Sequence, residues 1–140
     1  MTNMDFGELC DIYKEDPSQL YELMEKGVDM NATAYRRVTF LMYVVKRSCD
    51  AKLVKAMIDS GADVHARNLF GRTALMISAK NQDAPEVIQA LVDAGSDVNA
   101  IDDYGNDALT YSHIYCRCPR VTKILKKASR KNIISFDSFN

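Results

Sequence analysis

Apolar residues gather in short clusters along this chain, and the steps inside each cluster are helical rather than alternating. Leu41, Met42, Val44 and Val45 make one tight cluster, and Leu53, Val54, Met57 and Ile58 make the next, with steps of three and four that place the four side chains on one face of a helix. The second cluster has counterparts on either side: Leu20, Leu23 and Met24 precede it and Ile88, Leu91 and Val92 follow it, in columns 34 residues apart. The pattern predicts pairs of amphipathic helices recurring at a fixed interval.

The punctuation between the clusters keeps the same step. Gly27, Gly61 and Gly95 are 34 apart, each followed two residues later by Asp29, Asp63 and Asp97, and Leu41, Leu75 and Leu109 share another column, as do Gly71 and Gly105. Asp16-Pro17, Asp50-Ala51 and Asp83-Ala84-Pro85 supply start signals for the second helix of a pair, because a side-chain acceptor caps free amides and proline suits the first turn. The glycines of "DSG" and "DAG" are its stop. Ten residues such as "ADVHARNLFG" then remain before the next pair, enough for an extended, hairpin-like loop.

That loop separates two architectures that share this period. Helix-turn-helix repeats such as the tetratricopeptide type have no room for it. "GADVHARNLFGRTAL" (61–75) and "GSDVNAIDDYGNDAL" (95–109) instead resemble the ankyrin repeat phrase, in which Gly-Ala-Asp-Val-Asn-Ala leads through a turn into Gly-x-Thr-Pro-Leu-His. The resemblance implies an all-α solenoid of about four units in one domain: a cap at 1–33, repeats at 34–66 and 67–100, a second cap at 101–132 and a tail at 133–140. The residue in excess of the usual ankyrin length is expected between the helices, near Asn81 to Pro85. The family's Thr-Pro-Leu-His element stands here as Thr39-Phe40-Leu41-Met42, Thr73-Ala74-Leu75-Met76 and Asp107-Ala108-Leu109-Thr110. Without its His, a hydrogen bond that ties successive loops is lost, while Thr39, Thr73 and Asp107 keep the means to cap the first helices. Lys126 occupies the column of Met24, Ile58 and Val92, which makes the last packing face polar and ends the array. The apolar tail "IISFDSFN" is expected to fold back over that end, to dangle as a short docking peptide, or to fray.

Composition narrows the class. A chain of 140 residues, 47% apolar and 26% charged, is globular, and its uncharged apolar stretches fall far short of the about 18 residues that cross a bilayer. The acidic start "MTNMDFGELCDIYKEDP" has none of the features of a secretory signal, so a soluble, cytoplasmic protein is expected. Of the four cysteines, Cys116 and Cys118 lack the spacing and the second cluster of a zinc site, and Cys10 and Cys49 are expected to serve as small apolar packers; reduced thiols and no metal or cofactor follow. The net charge of -1 conceals a polarity, for residues 1–30 hold eight acids against Lys14 and Lys26, whereas residues 117–131 hold seven bases and no acid.

In a solenoid of this type, specificity lies in exposed columns that vary from unit to unit. The alignment puts Tyr35-Arg36-Arg37, Leu69-Phe70-Gly71 and Asp103-Tyr104-Gly105 at successive loop turns, and by resemblance these turns and the adjoining first-helix surfaces form a concave recognition face. Tyr35, Arg36, Leu69, Phe70 and Tyr104 are therefore the candidate anchors for a protein partner, since Tyr, Phe and Arg concentrate interface energy. Arg67, Arg72, Asp103 and Asn106 are their polar neighbours; Lys46, Arg47, Lys80, Asn81, Ile114 and Tyr115 come from the first helices. The same rings would also serve the fold alone if they packed sideways on adjacent loops.

No pattern points to catalysis. The glycines form no phosphate-binding loop, His65 and His113 have no nucleophile at a catalytic spacing, and Asp102-Asp103 sit at a turn where Asp bonds backbone amides. The basic stretch "RCPRVTKILKKASRK" suits the solvated face of a terminal helix and carries no interleaved aromatics, which argues against nucleic acid. A monomeric, non-catalytic protein-binding module is the expectation. Its rivals are an inhibitor, effector or immunity-type regulator of an enzyme, and a salt-sensitive element that self-associates through its oppositely charged caps.

Overall fold

The structure, a computed structural model, describes residues 3–81 and 84–137, with side chains as far as Arg130. Its helices are α1 (Phe6–Glu15), α2 (Gln19–Glu25), α3 (Phe40–Arg47), α4 (Ala51–Asp59), α5 (Ala74–Lys80), α6 (Pro85–Asp93), α7 (Ala108–Tyr111) and α8 (Pro119–Asp137). They pair in chain order. The first helices α1, α3, α5 and α7 pack on one another in one row and the second helices α2, α4, α6 and α8 in a second, giving an all-α repeat solenoid.

The column residues build the core between rows. Leu20, Val54 and Ile88 are fully buried, as are Met57 and Leu91, and Phe40, Leu41, Leu75 and Met76 fill the space beneath the first helices. Met24, Ile58 and Val92 pack at the edge of that core while Lys126 in their column is exposed, so the last unit does present a polar end. Each buried Leu, Ile or Met contributes about 1.5–3 kcal/mol of transfer free energy.

The caps of α3, α4, α5 and α7 follow the sequence, whereas α2 and α6 start from Ser18 and Ala84 without a side-chain cap from those residues. Thr39 Oγ1 accepts from the Met42 amide at 3.1 Å, Thr73 Oγ1 from Met76 at 3.4 Å and Asp107 Oδ1 from Thr110 at 2.8 Å. Asp50 caps α4 through the amides of Lys52 and Leu53. Asp16 bonds Ser18 and Gln19 just ahead of α2, and Asp83 and the inserted residue's neighbourhood at 82–83 lie outside the described residues.

The loops between pairs are hairpins. The amides of Ala34, Asn68 and Asp102 donate across their turns to the carbonyls of Val38, Arg72 and Asn106 at 2.8–3.0 Å. Adjacent hairpins also bond to one another, the Leu69 amide to the Arg36 carbonyl at 2.8 Å and the Asp103 amide to the Phe70 carbonyl at 3.0 Å. Side chains add further ties: Asn31 Nδ2 donates to the Gly61 carbonyl, Asn31 Oδ1 accepts from the Asp63 amide, and Arg67 Nη1 donates to the Ile101 carbonyl. The loop layer thus holds without the family's histidine.

Three expectations need correction. Cys49 is exposed rather than packed, because it falls in the short loop between α3 and α4, whereas Cys10 is buried. The first helix of the last unit does not continue regularly: after α7 the chain widens into a π turn over Ser112–Cys116 and closes at Arg117 in a left-handed conformation (φ 49°). The backbone of 133–137 prolongs α8 rather than turning back over the end; residues 138–140 and the side chains beyond Arg130 lie outside the described residues.

Candidate binding face

The hairpin turns are built by two devices. In the second and third turns Asn68 and Asp102, in the same column, each use Oδ1 to accept two amides, Phe70 and Arg72 in one case and Tyr104 and Asn106 in the other, all at 2.9–3.0 Å. Gly71 (φ 75°) and Gly105 (φ 79°) then reverse the chain. The first turn has neither device. Ala34 stands in the Asx column and Arg36 and Arg37 both take left-handed backbone conformations (φ 63° and 57°), a strained arrangement for residues with a Cβ.

The turns hold their side chains out. Tyr35 is 83% exposed, Tyr104 65% and Leu69 55%, whereas Phe70 is half-buried because Tyr104 stacks on it at 6.5 Å. Arg36 lies 5.4 Å from the Tyr35 ring and 5.5 Å from Phe70, so the tips form a ladder of alternating rings and guanidinium groups.

Beneath the tips runs a groove of about 580 Å³ along the first helices. Eight of the sequence candidates line it: Tyr35, Arg36 and Phe70 from the tips, Arg72 from the second hairpin, and Lys46, Arg47, Lys80 and Asn81 from the ends of α3 and α5. Asn81 Nδ2 also donates to the Val45 and Lys46 carbonyls, which closes the end of α3. Leu69, Asp103 and Tyr104 stand along the tip row; Arg67 is committed to the loop framework through Nη1 on the Ile101 carbonyl, and Asn106 gives that framework its backbone amide, on Asp102 Oδ1. The π turn carries Ile114 (55% exposed) and Tyr115 (47%) past the end of α7, where Tyr115 stacks on Tyr111 at 6.1 Å and Lys80 Nζ lies 4.7 Å from its ring.

Sequence reasoning left Phe6, Tyr43 and Tyr111 out of this face. Tyr43 is the centre of an aromatic cluster, with Phe6 at 5.6 Å and Tyr13 at 6.0 Å, and Arg47 lies 3.8 Å over its ring. A signal was available, since Tyr43, Ile77 and Tyr111 share one column of the repeat and all three line the groove.

Arg72, Asp102 and Tyr111 form the one ion-paired cluster along the groove among the described residues. Arg72 Nε donates to Asp102 Oδ2 at 3.4 Å and to the Tyr111 hydroxyl at 3.2 Å, and that hydroxyl donates to Asp102 Oδ2. The Asp102 side chain is wholly inaccessible. Burial pushes its carboxyl up, but the Tyr111 hydroxyl, the amides of Asn106 and Tyr104 and the Arg72 guanidinium outweigh burial and hold it below the usual carboxylate range. Tyr111 moves the other way, raised by burial and by its bond to Asp102. The cluster pins the third hairpin and α7 to the second hairpin, and so sets where the Phe70 and Tyr104 rings stand.

A second, larger concavity of about 880 Å³ lies against α8, lined by His113, Arg117 and the lysines and arginine of that helix's outer face. It includes Lys126, the polar replacement in the packing column, and is the end face on which a further repeat would have stacked. Lysine stems supply its apolar walls and their ammonium groups its rim.

The loop-and-helix-pair geometry has a counterpart among known families. The family described as ankyrin repeats (3 copies) matches residues 12–100 and, in a second placement, 41–135. This chain belongs to the ankyrin repeat family. Among the curated proteins none matches the sequence. Ankyrin repeats are generally protein-interaction modules, and this ankyrin array places its most exposed rings along the row of hairpin tips. No helix among the described residues is long and apolar enough to cross a membrane, and no His, Cys, Asp or Glu cluster among them is arranged to hold a metal.

Proposed function

We propose that this ankyrin array is a non-catalytic interaction module that binds a protein partner through the concave face of its hairpin tips and first helices, acting as a monomer without cofactor. The observation that carries the reading is the continuity of one exposed surface, from Tyr35 across Phe70 to Tyr104 and down onto Lys46, Arg47 and Lys80. Large rings held at exposed tips expose apolar area to water at a cost that a partner would remove. Their backbone is fixed by bonds between neighbouring hairpins, so little order is lost on binding. Buried hot-spot rings of this kind contribute about 2 kcal/mol or more each.

The test is affinity capture from cell extract with the natural chain beside a Tyr35→Ala, Phe70→Ala, Tyr104→Ala variant checked for an unchanged circular dichroism spectrum. The natural chain is expected to recover a defined set of proteins that the variant loses. Recovery of the same set by both would place the contact elsewhere.

A further inference from the structure

The groove is electrically one-sided. Arg36, Lys46, Arg47, Arg72 and Lys80 line it, and no carboxylate side chain among the described residues does. Arg72 is neutralised by Asp102, which leaves four cations, and none of these four forms an ion pair with a carboxylate among the described residues. A chain of net charge -1, with eight acids in its first thirty residues, thus lines this groove with cations and, among the described residues, with no acid. Tyr43, Phe70 and Ile77 supply its apolar floor, over the fully buried Met42 and Met76.

Resting on the interaction reading above, we infer that the groove takes an acidic peptide segment with apolar anchors: its Asp or Glu side chains pair with Arg36, Lys46, Arg47 and Lys80, and one or two of its apolar side chains pack on Ile77 and the ring edges of Tyr43 and Phe70, whose faces the arginines cover. Charge complementarity selects this occupant. A single-stranded nucleic acid also carries negative charge, but it gains affinity by stacking bases on free ring faces. Here the chain's own cations sit over the rings: Arg47 over Tyr43 at 3.8 Å, Arg36 over Tyr35 and Phe70, and Arg72 over Phe70, Tyr104 and Tyr111 at 5.5 Å. Guanidinium groups held in this way keep their edges for carboxylates, which they grip in bidentate fashion.

The experiment is selection of a random dodecapeptide display library on the full chain, followed by fluorescence anisotropy with the enriched peptides. Enrichment in Asp and Glu together with Leu, Phe or Met is expected. The pair Lys46→Glu, Lys80→Glu should weaken the enriched peptides by about tenfold or more. The pair Lys123→Glu, Lys127→Glu on α8 changes net charge equally and should leave affinity unchanged. Arg47→Gln, which keeps most of the stem over Tyr43, serves as a second variant whose melting temperature shows it folded, and it should weaken binding without reversing charge. Peptides without an acidic excess that still depend on Tyr35, Phe70 and Tyr104 would overturn the charge assignment while leaving the interaction face standing. Enrichment that depends on neither set of residues would remove both. Tighter binding of an oligothymidylate than of any acidic peptide would assign the groove to nucleic acid instead. A concentration-dependent dimer abolished by Lys46→Glu, Lys80→Glu would seat a second copy's acidic end there, and so overturn a separate partner.

Discussion

At the scale of single residues, the three hairpin turns solve one backbone problem with different side chains, and the differences predict stability. Arg37 occupies the column of Gly71 and Gly105 with a left-handed φ of 57°. Arg37→Gly removes that strain, and thermal melts should show a gain of about 1 kcal/mol. Gly71→Ala should lose more than Gly105→Ala, because both have positive φ but only at Gly71 would a new Cβ stand 2.7 Å from Asp103 Oδ1. The Asp102 cluster makes a prediction in pH. Its carboxyl binds a proton more weakly in the folded chain than in the unfolded one, so its contribution to stability is complete above the ordinary value of 3.8 and is lost as pH falls through the lower folded value. Asp102→Ala should cost about 2–3 kcal/mol at neutral pH, since it leaves two amides, the Tyr111 hydroxyl and the Arg72 guanidinium without their acceptor. It should also flatten the acid limb of stability, measured by urea unfolding at several pH values.

The helix pairs were legible in the sequence to the extent that their information is local. Cap residues, stops and apolar columns act within a turn or two of themselves, which is why Thr39, Asp50, Thr73 and Asp107 stand where their spacing put them. The last first helix was not legible. Tyr111 to Cys116 carry the right column residues, yet α7 ends after one turn and a π turn follows, because Tyr111 is committed to Asp102 and Ser112 is fully buried with its hydroxyl on the Leu109 carbonyl. In α5, by contrast, Ser78 of the same column is buried with no hydrogen-bond partner for its hydroxyl among the described residues. Ser78→Ala should therefore leave stability unchanged or raise it by about 1 kcal/mol, readable as a shift in the denaturation midpoint.

At the scale of the whole molecule, an array of stacked units has two ends, and this one finishes them with opposite charge. The acidic α1 and α2 lie at one end of the stack and the basic outer face of α8 at the other. Sedimentation at low and high ionic strength should give one monomeric species in both; an assembly that grows only at low salt would show that the caps join head to tail. The period of 34, the helix pairs, the intervening hairpins and the polar last face all follow from the sequence by itself, because each repeat is a local unit whose pattern is written in its own residues and repeated in the next. Only the tertiary structure decided which of the candidates share one groove, that Phe6, Tyr43 and Tyr111 join them, and that Arg72 is spoken for while Lys46, Arg47 and Lys80 are not ion-paired among the described residues. Those outcomes depend on contacts between residues about one repeat apart, such as Arg72 with Asp102, whose energies exist only once the units have stacked.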